Sequence, residues 1–168
     1  TAMPTDTGIY WYDVDYYIED GIKIDFIGGS GGIIGNYYGT YTGRDSEDNS
    51  VIHAHWDALQ AIVFSKIDGT TMDLNYMDLT TNTIIGGGVA DGTELSYVTT
   101  NNGDYMLLPS SDWGINYTSF GDLGDGIERL WMSNAFDSIY SFTVTSQNAY
   151  CFGLRSLTLY RMQLSHNQ

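Results

Sequence analysis

Residues 62–79 read IVFSKIDGTTMDLNYMDL, a stretch in which apolar and polar residues alternate on both sides of the dipeptide Asp68-Gly69. Alternation with a period of two residues is typical of a β-strand that buries one face. Asp-Gly suits a tight turn, because both positions accept a positive φ. The stretch therefore predicts two strands joined as a hairpin.

The second strand of this stretch is expected to have one apolar and one polar face. Alternation places Met72, Leu74 and Tyr76 on one face, and Asp73 and Asn75 on the other. Such a strand is half-buried, with its apolar face towards a core.

Three aspartates at five-residue intervals, Asp68, Asp73 and Asp78, raise the alternatives of a calcium loop or an acid/base site. An EF-hand is excluded, because the D-x-D-x-D-G spacing is absent and Gly follows Asp68 directly. We favour a structural role, in which Asp68 forms the turn, Asp73 is solvated and Asp78 lies near the end of the strand.

Short alternating segments recur along the whole chain of 168 residues. About ten strands separated by turn signals predict an all-β fold, an antiparallel two-sheet β-sandwich. We expect a turn at residues 19–21, and we interpret the run GGSGGIIGNYYG as a loop that leads into an edge strand. With no linker or repeat, we predict a single domain over residues 1–168, with residues 1–10 as an extended N-terminal arm.

The composition is strongly acidic, with 6 Lys+Arg against 21 Asp+Glu and a net charge of −15. Such a chain repels phosphate backbones and anionic membranes, so we expect no nucleic-acid partner. No apolar stretch approaches the roughly 20 residues of a membrane span, so we expect no direct membrane insertion. Cations are the expected counterpart of this charge.

Two acidic loops are candidates for calcium, because they concentrate oxygen ligands. The residues concerned are Asp45, Glu47 and Asp48 in one loop and Asp122 and Asp125 in the other. The alternative is that both loops are solvated parts of an anionic surface. Calcium is the cofactor that the sequence indicates, and no other is expected.

A second metal candidate lies in VIHAHWD, where His53, His55 and Asp57 share one face of a continuous strand. A His-x-His pair on a strand binds transition metals when a further ligand comes from elsewhere. The favoured alternative is a polar outer face, since no Cys or further His is near in sequence.

Catalytic motifs are absent from the sequence. There is no G-x-S-x-G, and Cys151 lies in an apolar strand, where a core thiol is expected. Carboxylate pairs are too frequent to identify a glycosidase site. We therefore expect a non-enzymatic protein.

Three segments, YYIEDGIKI, IVFSKIDGTTMDLNYMDLTTNT and CFGLRSLTL, resemble the secreted β-sandwich domain of bacterial PEP-CTERM-type extracellular proteins. The resemblance spans roughly residues 12–160. It implies a jelly-roll-like sandwich, export, and a role at the cell surface or in the biofilm matrix.

Two departures from that family limit what is carried over. Gly153-Leu154-Arg155 stands where the family tends to have Asp-Asn, and YRMQLSHNQ lacks the apolar helix and basic cluster of a sorting tail. The start TAMPTDTG, without Met, leads us to expect a processed, extracellular or cell-surface protein.

Aromatic residues at the N-terminus and in loops exceed what one core needs. They are Tyr10, Trp11, Tyr12, Tyr16, Tyr17, Tyr37, Tyr38, Trp113 and Tyr117. Exposed Tyr and Trp serve as interface anchors or stack on sugar rings. The first hypothesis is thus a structural protein that assembles with copies of itself into a filament or matrix, by N-terminal strand exchange. The alternative is a carbohydrate-binding module for an extracellular polysaccharide.

Overall fold

The structure is a computed structural model that describes residues 10–28, 32–35, 51–55, 60–83, 91–110, 128–147 and 151–159. These residues form twelve strands and one short 3-10 helix, Asn134–Phe136. No helix in these ranges is long and apolar enough to span a membrane.

The strand bounds follow the alternating segments of the sequence. They are β1 (Tyr10–Val14), β2 (Tyr16–Glu19), β3 (Ile22–Ile27), β4 (Gly32–Gly35), β5 (Val51–His55), β6 (Ala61–Lys66), β7 (Tyr76–Thr83), β8 (Ser96–Thr100), β9 (Tyr105–Leu107), β10 (Glu128–Trp131), β11 (Ser141–Ser146) and β12 (Cys151–Thr158).

The strands form two antiparallel six-stranded sheets, which confirms the predicted β-sandwich. Sheet A has the order β1-β4-β5-β12-β7-β10, and sheet B has the order β2-β3-β6-β11-β8-β9. The last eight strands pair as β5 with β12, β6 with β11, β7 with β10 and β8 with β9. This nested pairing, rolled into two sheets, is the jelly roll.

The first four strands widen both sheets at one side of the roll. β4 adds to β5 and β3 adds to β6, and β1 and β2 lie outermost. Residues 10–17 of the segment IYWYDVDYY are thus divided at Asp15 between two sheets. The prediction that the glycine-rich run is a loop leading into an edge strand is wrong, because part of the run is β4 itself, which lies between β1 and β5.

A tight hairpin of the predicted kind occurs at Asp20-Gly21. Both residues have positive φ, 49° and 77°, and they connect Glu19 of β2 directly to its partner Ile22 of β3. Two consecutive left-handed residues give the turn a twist that matches the flanking strands.

The hairpin predicted at Asp68-Gly69 is wrong. At this turn Gly69 has a positive φ of 73° and Asp68 does not, and β6 and β7 lie in different sheets. The Asp68 carboxylate instead accepts bonds from the Thr70 N–H and hydroxyl, at 2.9 and 2.7 Å. The chain then crosses from sheet B to sheet A.

This crossing also changes which face of the chain is buried. Met72 and Leu74 are buried as predicted, but Tyr76 lies on the outer face of sheet A, because Met77 is buried instead. The Asn75 N–H donates to the Thr158 carbonyl of sheet A, and Asn75 accepts from the Met132 N–H. The alternation therefore restarts at the point where the chain joins the second sheet.

The core lies between the two sheets and is built from alternate residues of the strands. At its centre Phe64 of β6 and Phe142 of β11 are opposite each other, and their rings stack at 4.5 Å with an interplanar angle of 7°. Both side chains are fully buried. Burial of each such ring stabilises the fold by about 1.5–3 kcal/mol.

Candidate interaction surfaces

The three aspartates have three different partners in the structure. Asp68 holds the turn, as predicted, and hydrogen bonds from Thr70 lower the pKa of its carboxyl group. Asp73 accepts a bond of 2.7 Å from the Ser138 N–H, so it is not merely solvated. Asp78 is buried within β7 and forms an ion pair with Arg129, so the prediction of a strand-end position is wrong.

The acidic loop residues that were predicted to bind calcium all lie outside the described residues. Asp57 also lies outside them. His53 and His55 are on β5, where their partners on β12 are Gly153 and Cys151. No group of three His, Cys, Asp or Glu that could hold a metal ion occurs in the described part of the chain. Both metal sites remain predictions.

The aromatic residues predicted as anchors lie in different parts of the structure. Tyr10, Trp11 and Tyr12 lie on β1, which pairs with β4. On β2, Tyr17 belongs to the core, so it is not available as an exposed anchor. Burial, with Glu19 and Asp20 nearby, raises the pKa of Tyr17. The residues that fall outside the described ranges are Tyr37, Tyr38, Trp113 and Tyr117.

Tyr16 occupies the opposite face of β2, on the outside of the sandwich. The Lys23 ammonium lies 5.4 Å from the centre of its ring. Since Tyr16 is partly exposed, it remains a candidate anchor.

The outer surface of sheet B, called here the sheet B face, is formed by the residues that alternate with the buried ones. They are Tyr16, Ile18, Lys23, Asp25, Ile27, Ala61, Val63, Ser65, Tyr97, Thr99, Tyr105, Leu107, Ser141, Thr143 and Thr145. Small, apolar and hydroxyl side chains dominate this surface.

The sheet B face is almost uncharged. Its two charged residues, Lys23 and Asp25, neutralise each other in a salt bridge of 2.7 Å. Apolar side chains are well exposed at both ends of one cross-strand row, Ile27 at 47% and Leu107 at 55%. Exposed apolar area with few charges is typical of a protein–protein contact surface.

A second surface feature, called here the arginine cluster, lies on the outer face of sheet A. It consists of Tyr76 and Asp78 on β7 and Arg129 and Trp131 on β10. The register pairs Arg129 with Asp78 and Trp131 with Tyr76. Residues two apart on a strand share a face, so four side chains meet on one patch.

Two interactions fix the Arg129 guanidinium in the arginine cluster. Its Nε and Nη2 groups donate to the two carboxylate oxygens of Asp78, at 2.8 and 3.0 Å. Its carbon lies 4.0 Å from the ring centre of Tyr76. The bonds to Asp78 raise the pKa of Arg129, which is therefore permanently charged.

The Trp131 ring stands at the exposed side of the cluster. It contacts Tyr76 edge to face, with ring centres 5.1 Å apart and an angle of 60° between the planes. Trp131 is 64% exposed, the largest value among the exposed large hydrophobic residues in the described ranges. An indole so exposed on a paired strand is a candidate contact surface.

The arginine cluster was not predicted from the sequence, although the spacing of its residues along each of the two strands is visible there. Both NYMDL and ERLW carry two residues of the cluster at positions i and i+2, which share a strand face. The pairing of these strands was not visible, because Asp78 and Arg129 are 51 residues apart.

Comparison of this chain with protein-family models, curated proteins and solved structures finds no match.

Proposed function

We propose that this chain is a non-enzymatic, extracellular structural protein that assembles with copies of itself through the sheet B face. The observation that carries the proposal is the contrast between this face and the whole chain. The chain has a net charge of −15, whereas the described sheet B face contains one neutral ion pair.

Charge selects this face for contact between identical molecules. Two copies of an acidic protein repel each other wherever carboxylates meet, and like charges in an interface cost several kcal/mol. The central residues Val63, Thr99 and Thr143 of the sheet B face carry no charge. The charged side chain opposite Val63, that of Asp25, is neutralised by Lys23. Two such faces can therefore approach without burying an unpaired charge.

The size of the face is sufficient for a specific but modest contact. Six strands at a spacing of about 4.8 Å and about five residues of 3.4 Å each cover roughly 500 Å² in projection. Two copies therefore bury roughly 1,000 Å² together, near the lower limit for a specific interface. We expect a weak dimer whose affinity grows when further contacts are added.

A filament needs a second contact, and N-terminal strand exchange is our candidate. Within one chain β1 pairs with β4 and β2 pairs with β3, and among the described strands each has only that neighbour in its sheet. An incoming strand would add to the other side of β1 or β2, where main-chain groups accept a β-partner. Calcium at the two acidic loops would reduce repulsion between copies.

The secreted location and the matrix role rest on the resemblance to the PEP-CTERM-type domain and on the acidic composition. The jelly roll agrees with that resemblance at the level of the fold. Because a fold hosts many functions, assembly has to be tested directly.

The test is sedimentation velocity over a concentration series, with the native chain and Leu107→Asp. Leu107 is 55% exposed, so its replacement should leave the core intact. We expect concentration-dependent dimers that the added charge abolishes. Higher salt should strengthen the native dimer, because it screens repulsion between the acidic chains beyond about 8–10 Å.

The matched control is Ile67→Asp, which places the same charge on a residue that is 60% exposed in the turn after β6. This variant should associate like the native chain. A monomer at every concentration, or equal loss of association in both variants, contradicts the proposal. Electron microscopy with and without a calcium chelator then tests for filaments.

A further inference from the structure

We infer that the arginine cluster is a binding site for neutral saccharides, with Trp131 as the stacking platform and Arg129 as the hydrogen-bond donor. The site lies on sheet A, away from the sheet B face, so it does not depend on the proposed assembly. Its argument rests on exposure, fixed geometry and charge.

Trp131 supplies the apolar half of the site. Trp131 is 64% exposed, and its ring contacts Tyr76 edge to face at 5.1 Å, which reduces the side-chain freedom that remains to be lost on binding. The C–H face of a pyranose is apolar and flat, and it covers an indole in the way other apolar surfaces do. An exposed and rigid indole is unfavourable in water, so covering it with a sugar ring lowers the free energy.

Arg129 supplies the polar half of the site. Asp78 uses two of the five guanidinium N–H groups, and no other described residue accepts from the remaining three. The Arg129 side chain is 47% exposed, so these donors can reach a ligand. Because Asp78 and Tyr76 hold the guanidinium plane, the donors are oriented before a ligand arrives.

The spacing of the two parts matches a sugar ring with its hydroxyl groups. Arg129 and Trp131 are two positions apart on β10, about 6–7 Å along the strand. Across the strands, Trp131 is opposite Tyr76 and Tyr76 is opposite Thr158, a row of about 10 Å. A pyranose on Trp131 therefore places its hydroxyl groups towards Arg129, and its neighbour in the polymer towards Thr158.

The charge of the site favours a neutral ligand over an acidic one. Asp78 neutralises Arg129 through two hydrogen bonds, so the pair has no net charge to offer an anion. The chain as a whole carries −15 and repels acidic polymers at long range. Sugar hydroxyl oxygens accept from a guanidinium without bringing a charge into this field.

The experiment is native-gel electrophoresis of the full chain through gels containing a β-1,3-glucan, a β-1,4-glucan, a galactomannan or a xylan, with alginate as the acidic probe. Retardation by at least one neutral polymer is expected. Calorimetry with the hexasaccharide of that polymer then gives the affinity. We expect Trp131→Ala to weaken it about tenfold, equivalent to the loss of one stacking contact.

Two further variants make the outcome specific. Arg129→Lys keeps the charge but loses the planar donor fork, so weaker binding is expected. Tyr140→Ala removes a different aromatic side chain, 59% exposed, and should bind like the native chain. Retardation by no neutral polymer, retardation by alginate alone, or an unchanged affinity of Trp131→Ala overturns the inference.

Discussion

Asp78 and Arg129 face each other on β7 and β10 and share two hydrogen bonds, yet their side chains differ sharply in exposure, 8% and 47%. The carboxylate is withdrawn from water and paired with the guanidinium, whereas water already solvates much of the guanidinium. Removal of one partner is therefore not equivalent to removal of the other.

This asymmetry predicts that Arg129→Met lowers the free energy of unfolding more than Asp78→Asn. The first change leaves a buried carboxylate without its cation, and the second leaves a half-exposed cation facing a neutral amide that still accepts one hydrogen bond through Oδ1. Urea unfolding of both variants at neutral pH measures the difference. Equal losses would show that the pair is solvated as a unit.

The stacked rings at the centre of the sandwich predict a large loss for Phe64→Ala. Phe64 and Phe142 are fully buried and in contact, so truncation leaves a cavity. We expect a loss of about 3–5 kcal/mol in the free energy of unfolding. Phe64→Leu, which fills most of the space, should cost roughly 1–1.5 kcal/mol. Similar values for the two variants would indicate that the core collapses into the cavity.

The pKa of Glu19 gives a prediction about pH. Partial burial raises this pKa and the neighbouring Asp20 raises it further, so the folded chain holds a proton that the unfolded chain releases first. The free energy of unfolding therefore falls as pH rises through this interval. Glu19→Gln should stabilise the protein at neutral pH and lose its advantage near pH 3, where the carboxyl group is protonated in both states.

Asp68 provides the control of opposite sign. Its pKa is lowered by the bonds from Thr70, so its contribution exists at neutral pH and is lost as pH falls through the folded-state pKa. Asp68→Asn should therefore destabilise at neutral pH. Thermal melts of both variants over the acidic range test this, and shifts of the same sign would contradict the prediction.

The Asp20-Gly21 turn predicts that replacing Gly21 lowers stability through the backbone conformation and not through a steric clash. Gly21 has φ of 77°, and a Cβ at this position would meet nothing within 4 Å. Gly21→Ala should cost about 1–2 kcal/mol, the penalty of a left-handed residue with a Cβ. Gly21→Asn should cost less, because Asn tolerates this region. Urea unfolding distinguishes the two, and equal costs would point to a different cause.

The alternation of apolar and polar residues predicted most of the strands, because a sheet that buries one face requires this pattern in the local sequence. The segment IKIDFI is β3 with the same bounds, Ile22–Ile27, and the sandwich followed from the number of such segments. Whole-sheet pairing leaves no local mark. Asp78 and Arg129 became neighbours only because β7 lies between β10 and β12.

The two Asp-Gly dipeptides show where local rules end. Asp20-Gly21 closes a hairpin, because β2 and β3 belong to the same sheet, and Asp68-Gly69 ends β6 before the chain crosses to the other sheet. The dipeptide permits either turn. The choice depends on which distant strands occupy the neighbouring positions. β6 lies between β3 and β11, whereas β7 lies between β10 and β12.

The position of β12 has a consequence for the order of folding. This strand comes last among the described strands but lies in the interior of sheet A, between β5 and β7. A chain emerging residue by residue can close sheet B before sheet A, whose middle position stays vacant until residues 151–158 have been made. Contacts between such distant segments form slowly. Sheet A thus cannot close before residues 151–158 have been synthesised, and a product truncated before them would expose two unpaired strand edges to its neighbours.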